Sequence, residues 1–233
     1  MKRLGILAYG SLIDDPGKEI NAVTVCQTEN VLTPFELEFA RSSRTRGGGP
    51  TLVPVKTGGA RVKAQILVLG EGISEKQATD MLWRRETHQV CSGNVYKRPQ
   101  NPGKNTVLVE QLKNFHNVDL VLYTKIAPNI KLLTPQKLAK LAIDSARSEA
   151  GIQGLDGISY LIKAKQNGIQ TSLMPQYENE ILRELKATSL EGALRIIQEE
   201  RQSGFGLFSC LFCHIKQALK RLIKWMQVDH CSI

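Results

Sequence analysis

The sequence is short of several things, and each shortage closes a class of function. No run of roughly 18 apolar residues occurs, so a membrane-spanning helix is excluded. Aromatic residues make up only 6% and do not interleave with the basic ones, so the stacking platform of a single-strand nucleic-acid binder is missing and no nucleic-acid partner is expected. There are four histidines; His88 and His116 have no partner at metal-ligand spacing, and no metal is expected. The five cysteines are an odd, sparse set, which fits a reducing compartment rather than a disulfide framework, hence a cytoplasmic location. Acids are outnumbered, 22 to 31, for a net charge of +9. That excess is uneven: between positions 201 and 233 five basic residues (Arg201, Lys216, Lys220, Arg221, Lys224) stand against the single acid Asp229. The rest of the chain is only mildly basic, and its charge says little about partners.

What remains is an ordinary globular composition, 42% hydrophobic and 23% charged, in a chain long enough to bury a core without disulfides. Met1-Lys2-Arg3 ahead of Leu4–Ile13 has the basic start of a leader. However, Tyr9-Gly10-Ser11 breaks the apolar stretch, and Asp14-Asp15-Pro16 follows without a small-x-small cleavage pattern. A buried first strand over Leu4–Ala8 is the better expectation. Phe35–Phe39 alternates as a half-buried strand. Arg41–Pro50 is expected as a loop. Thr51–Val55, Arg61–Leu69, Val107–Leu112 and Asp119–Lys125 read as further strands. Ser74 with Gln77 predicts a capping box, with Ala78, Met81 and Leu82 on the apolar face. Thr134-Pro135 starts a helix closed by Gly151, and Ser189 opens another that ends at Gly204 and Gly206. Strands first and helices afterwards predict an α+β domain over residues 1–204, with a tail over 205–233.

Three segments carry candidate chemistry: the turn Tyr9-Gly10-Ser11-Leu12 after the first strand, Leu82-Trp83-Arg84-Arg85-Glu86 at a helix end, and Ser92-Gly93-Asn94-Val95-Tyr96 after it. Taken singly, the first is a strand-ending turn. The second is a solvated helix end with local ion pairs, although an acid at a helix C-terminus opposes the dipole. In order along the chain they read differently. Ala8–Leu12 with Ile13–Gly17, Gly48–Pro54, Leu82–Glu86, Gly93 with Tyr96, and Ala164–Ile169 followed by Tyr177 together resemble the gamma-glutamylcyclotransferase-like family over roughly residues 4–185. The spacing of Gly93 and Tyr96 and the helix at 134–151 depart from the family pattern.

The resemblance implies a small mixed β-barrel flanked by helices and an enzyme of gamma-glutamylcyclotransferase type, an acyl-transferring lyase that works without cofactor, metal or nucleotide. Its substrate would be a small γ-glutamyl compound of glutathione metabolism, cleaved to 5-oxoproline and a free amine. It makes Glu86 the catalytic base, gives Tyr9, Gly10, Ser11 and Leu12 the grip on the glutamyl group, and puts Tyr96 on the pocket wall as a substrate-binding residue. The residues suit that chemistry. The substrate's α-ammonium must lose a proton before it attacks its own γ-carbonyl, and a partly desolvated carboxylate is a fitting acceptor. Gly10 permits the backbone to turn its N–H groups toward an anion. The alternative is a non-catalytic ligand-binding or membrane-targeted module on the same fold.

Arg41, Arg44 and Arg46 beside three glycines lack the Lys-Ser/Thr ending of a phosphate loop. They read as a loop rimming the pocket, where one arginine would meet a substrate carboxylate. Cys26 and Cys91 are expected as small buried hydrophobes. In the tail, Phe208, Leu211, Ile215, Leu219, Leu222 and Met226 step by threes and fours with Lys216, Lys220, Arg221 and Lys224 largely off the stripe. This predicts a basic amphipathic C-terminal helix that either lies peripherally on an anionic membrane or packs on the body or on a second copy. Cys210 and Cys213 beside it suit reversible acylation.

Overall fold

A computed structural model of the chain describes residues 2–203. The tail expected over 205–233, with its amphipathic helix, lies outside the described residues. The protein is of mixed α+β class. β1 (Leu4–Ala8) runs at the centre of a five-stranded sheet of order β2-β5-β1-β7-β6, in which β2 is Thr24–Leu32, β5 Lys63–Leu69, β6 Leu108–Phe115 and β7 Val118–Lys125. β1 pairs antiparallel with β5 and parallel with β7. All five of its residues are buried, which is why it reads as an unbroken apolar run and not as an alternating one.

The two faces of the sheet feed two different cores. Leu4, Ile6, Ala8, Leu67, Leu69, Leu120 and Leu122 pack with Leu12 of α1 (Ser11–Asp14), Ile20 of α2 (Lys18–Val23), and Ala78, Met81 and Leu82 of α3 (Glu75–Glu86). Leu7, Val31, Ile66, Val68, Val118 and Val121 form the other face, covered by Phe35, Phe115 and Tyr123. The third core is helical. α4 (Pro135–Arg147), α6 (Gly157–Gln166), α7 (Met174–Leu185) and a helix over 190–203 close on Leu37, Phe39 and Leu52, which belong to a ribbon of β3 (Leu37–Ser42) and β4 (Pro50–Pro54). α5 (Glu149–Ile152) is a single turn after α4.

The hydrogen-bond ladder is open where a closed barrel was expected. β2 and β6 are the sheet's edges, and the β3–β4 ribbon joins the rest through one bridge, Leu37 to Ala60. The far edge of β3 is capped by a loop: Asn129 and Ile130 N–H both donate to Ala40 O, and the Asn129 side chain accepts from Ser42 N–H at 2.7 Å and donates to Ser42 O at 3.1 Å. With its polar edge satisfied there, β3 has no call for another strand.

Several expectations hold at residue level. Ser74 and Gln77 form the capping box of α3, and Thr134 caps α4 with Pro135 in its first turn. Others need correction. Phe35–Phe39 is no half-buried strand, because Glu38 is wholly buried. Its carboxyl group accepts from Phe39 N–H, Thr171 Oγ1 and Leu173 N–H at 2.8, 2.6 and 3.0 Å, which satisfies it inside the core. Arg41 and Ser42 belong to β3 and not to a loop. Cys26 and Cys91 are exposed and not buried, one on an edge strand and one in a turn at φ 62°.

Candidate functional site

The site begins where β1 runs out. Gly10 sits at φ 59°, ψ −133°, a conformation that glycine enters at little cost and other residues avoid. Space also requires glycine: a Cβ there would lie 2.4 Å from the Tyr160 hydroxyl. The chain thus passes directly over Tyr160 before turning into α1. Leu12 and Ile13 N–H bond back to Tyr9 O and Gly10 O at 3.4 and 3.2 Å. The Gly10 and Ser11 N–H groups donate to no protein acceptor among the described residues. The Tyr9 hydroxyl donates to Thr124 O at 2.6 Å. Burial pushes its pKa far up and the charge of Glu86 adds to the shift, so Tyr9 keeps its proton and serves as a brace.

α3 brings two neighbouring arginines to opposite tasks. Arg84 points to the scaffold: its guanidinium pairs with Glu19 at 2.6 Å and donates to Asn94 O at 2.6 Å. Glu19 also accepts from Cys91 N–H at 2.9 Å, and the Arg84 hydrogen bonds hold its pKa below the usual carboxylate range. Arg85 points to the turn. It donates to Ser11 O at 3.1 Å, to Asp15 O at 2.6 Å, and to Glu86 Oε1 at 2.8 Å. One guanidinium therefore ties the Ser11–Asp15 segment to the carboxylate that ends α3. The helix stops there in a Schellman motif: Gln89 N–H reaches Arg84 O at 2.7 Å and His88 N–H reaches Arg85 O at 3.3 Å. The left-handed position, usually glycine, is held by His88 at φ 57°.

These elements enclose a cavity of about 170 Å³ lined by Tyr9, Ser11, Leu12, Glu86, Arg41, Arg46, Arg85, His88, Thr124 and Tyr160, with ribbon residues Thr51, Leu52 and Val53 behind. That is smaller than the roughly 300–1,000 Å³ of sites for drug-sized ligands and suits a group the size of an amino acid. Glu86 is the one carboxylate among the described lining residues, and its side chain is only 25% exposed. A second cavity of about 490 Å³ adjoins it, lined by Gly10, Asp14, Asp15, Val90, Leu155 and Lys163. Ser11, Arg46, Arg85, His88 and Tyr160 line both, so they form the seam between the two. The Arg46 guanidinium lies over the Tyr160 ring, 4.5 Å from its centroid. Desolvation lowers the Arg46 pKa, and burial raises that of Tyr160. Among the described residues no three His, Cys, Asp or Glu side chains converge as a metal-ligating group.

Tyr9, Ser11, Leu12 and Glu86 thus come together in one cavity, with Gly10 lining the adjoining one. Tyr96 does not join them. It sits on the other side of α3, its ring 6.2 Å from Trp83, its N–H on Asp80 Oδ1 at 2.8 Å and its hydroxyl accepting from Val109 N–H at 3.3 Å. These bonds make Tyr96 a pin for the long connection after α3 instead of a wall residue. Tyr177 is buried in the helical core against Phe39. Tyr160 and Thr124 were missed from the sequence, and the tether role of Arg85 with them; a tyrosine on α6 gives no local signal of facing a turn some 150 positions earlier. Comparison with family models, with curated proteins and with solved structures finds no match for this chain.

Proposed function

We propose that the protein is a gamma-glutamyl cyclotransferase built on a variant of the gamma-glutamylcyclotransferase-like fold, with Glu86 as general acid and base. The observation that carries this reading is the shared cavity: a single, mostly covered carboxylate lines the same small space as Tyr9, Ser11 and Leu12. The uncommitted N–H groups of Gly10 and Ser11 take the glutamyl α-carboxylate. Arg85 occupies Glu86 Oε1 and leaves Oε2 for the substrate ammonium. Glu86 removes a proton from that ammonium, the freed amine attacks the γ-carbonyl carbon, and a five-membered ring closes. The γ-carbon to nitrogen amide bond then breaks. Two protons pass in turn from the attacking nitrogen to the departing one through the same carboxylate, which ends as it began. Because nucleophile and electrophile share one molecule, the site has only to hold the folded rotamer, and no covalent enzyme intermediate forms.

Mass-spectrometric detection of 5-oxoproline from a panel of γ-glutamyl compounds tests the reading. Glu86→Gln keeps an oxygen acceptor for Arg85, so the fold is retained, while the rate falls by about 10²–10⁴-fold. A full rate in this variant would refute the assignment. Tight binding without product from any compound favours the second reading, a ligand-binding or membrane-targeted module. The specific observation behind that reading is the basic amphipathic pattern of 208–226. Flotation of the chain on anionic liposomes, lost on removal of 205–233, is the outcome it requires.

A further inference from the structure

We propose that the segment 208–226 docks on the chain's own body, with its apolar stripe against a rim formed by Val90, Ile152 and Leu155. Docking of this kind is independent of the chemistry assigned to Glu86. Three apolar side chains are left in water at the rim: Ile152 is 61% exposed, Leu155 42% and Val90 37%. Ile152 and Leu155 stand three residues apart, in α5 and the turn after it. Leu155 and Val90 line the second cavity together. Backbone hydrogen bonds hold the turn in place: Gly154 N–H donates to Gly151 O at 3.3 Å and Leu155 N–H to Ala150 O at 2.8 Å. The rim is thus presented on fixed backbone, and a group of exposed apolar side chains ringed by polar ones marks a contact surface.

The place where the chain leaves the body decides the occupant. The helix over 190–203 ends against α4 and α5. Its Arg201 guanidinium donates to Ala146 O and lies beside Gly151, the neighbour of Ile152 in the chain, and its Glu200 accepts from Arg147 Nε at 3.1 Å. From Ser203 to Phe208 the chain spans at most about 18 Å. The stripe therefore begins beside the rim, at an effective concentration on the order of millimolar. Charge does not choose the site. Asp14 and Asp15 line the second cavity together with Arg46, Arg85 and Lys163. Asp14 accepts from Asn167 Nδ2 at 3.0 Å, and Asp15 lies 3.9 Å from the Arg85 guanidinium. With both signs at the mouth, apolar contact sets the fit, and Lys216, Lys220, Arg221 and Lys224, largely off the stripe, stay in water. A segment seated on the rim covers the opening of the second cavity and restricts entry to the seam it shares with the first.

Hydrogen exchange of the full chain, read by mass spectrometry without lipid, tests the docking. A seated segment has protected amides over 208–226. Ile152→Glu with Leu155→Glu, both at exposed positions, should speed exchange there by about 10- to 100-fold, the worth of burying one or two aliphatic side chains. Leu132→Glu, at a position 77% exposed and outside the rim, is the control and should change nothing. Ile215→Glu with Leu219→Glu leaves the body untouched and should in turn speed exchange over 149–156, which an effect confined to the tail would not do. Exchange over 208–226 that is equally fast in every protein, or slow and unmoved by the rim variant, overturns the proposal, as does a tail variant that leaves 149–156 unmoved. Protection that appears only with phosphatidylserine–phosphatidylcholine vesicles assigns the stripe to a membrane, and protection lost on dilution assigns it to a second copy. Either result also overturns docking on the chain's own body.

Discussion

Gly10→Ala is the substitution whose effect the geometry defines most fully. Two penalties act at once. The backbone at φ 59°, ψ −133° is strained for any residue with a side chain, at about 1–3 kcal/mol. The new methyl would also start 2.4 Å from the Tyr160 hydroxyl. Tyr160 cannot simply withdraw, since it is 5% exposed, stands edge-on to Phe39 with ring centroids 6.1 Å apart, and carries Arg46 on its face. Forced repacking of that kind costs about 1–3 kcal/mol more. The total, about 2–6 kcal/mol, lowers Tm by roughly 4–24 °C in a chain of this size. A double-mutant cycle with Tyr160→Phe separates the terms, because without the hydroxyl the nearest ring atom is the carbon at 3.5 Å, an ordinary contact. In the Tyr160→Phe background Gly10→Ala should therefore cost only the backbone share. Denaturant unfolding of the four proteins gives the coupling energy. Additive effects, within about 0.5 kcal/mol, would refute the close passage of the chain over Tyr160.

Three further outcomes follow from the neighbourhood of α3. Glu19→Gln weakens the charged pairing with Arg84 and should cost about 1.5–3 kcal/mol at pH 7 in denaturant unfolding. Glu19 has its pKa lowered by folding, so its contribution is present above the ordinary carboxylate pKa of about 4.3 and is lost as pH falls through the depressed folded value. The gap between the two proteins should accordingly close in acid, and a gap that stays constant down to pH values of about 2 would contradict the assignment. His88→Gly relieves a left-handed residue and should leave Tm unchanged or raise stability by up to about 1 kcal/mol, while altering ligand affinity through the seam. Tyr96→Phe, remote from both cavities, should leave ligand affinity unaltered and lower stability through the lost Val109 hydrogen bond, by about 1 kcal/mol in denaturant unfolding.

Where a local rule governs the backbone, the sequence is a good guide. The unbroken apolar run of β1, the Ser74–Gln77 box and the Thr134-Pro135 start each act within a few residues, and each appears where expected. β2 was invisible because only Val31 of its nine residues is buried. It is an edge strand, bent by a register shift between Thr28 and Val31 with Asn30 at φ 57°, so neither alternation nor an apolar run marks it. Glu38 looked like a solvent-facing position because its three donors come from residues 39, 171 and 173. The site divides the same way. Glu86 and the Tyr9–Leu12 turn are short patterns at element ends and could be picked out. Tyr160, and the placing of Arg46 over its ring, depend on how α6, the ribbon and β1 meet, which no local pattern encodes.

Arg85 has a consequence for motion. It holds the Ser11 and Asp15 carbonyls with one side of its fork and the proposed base with the other, so the spacing between that segment and Glu86 is set through a single rigid plane. Breathing of the cleft then carries both parts together, as the ends of a caliper locked at one setting. A lysine in that place, with one mobile point charge, would let the two drift independently even if every other atom stayed put.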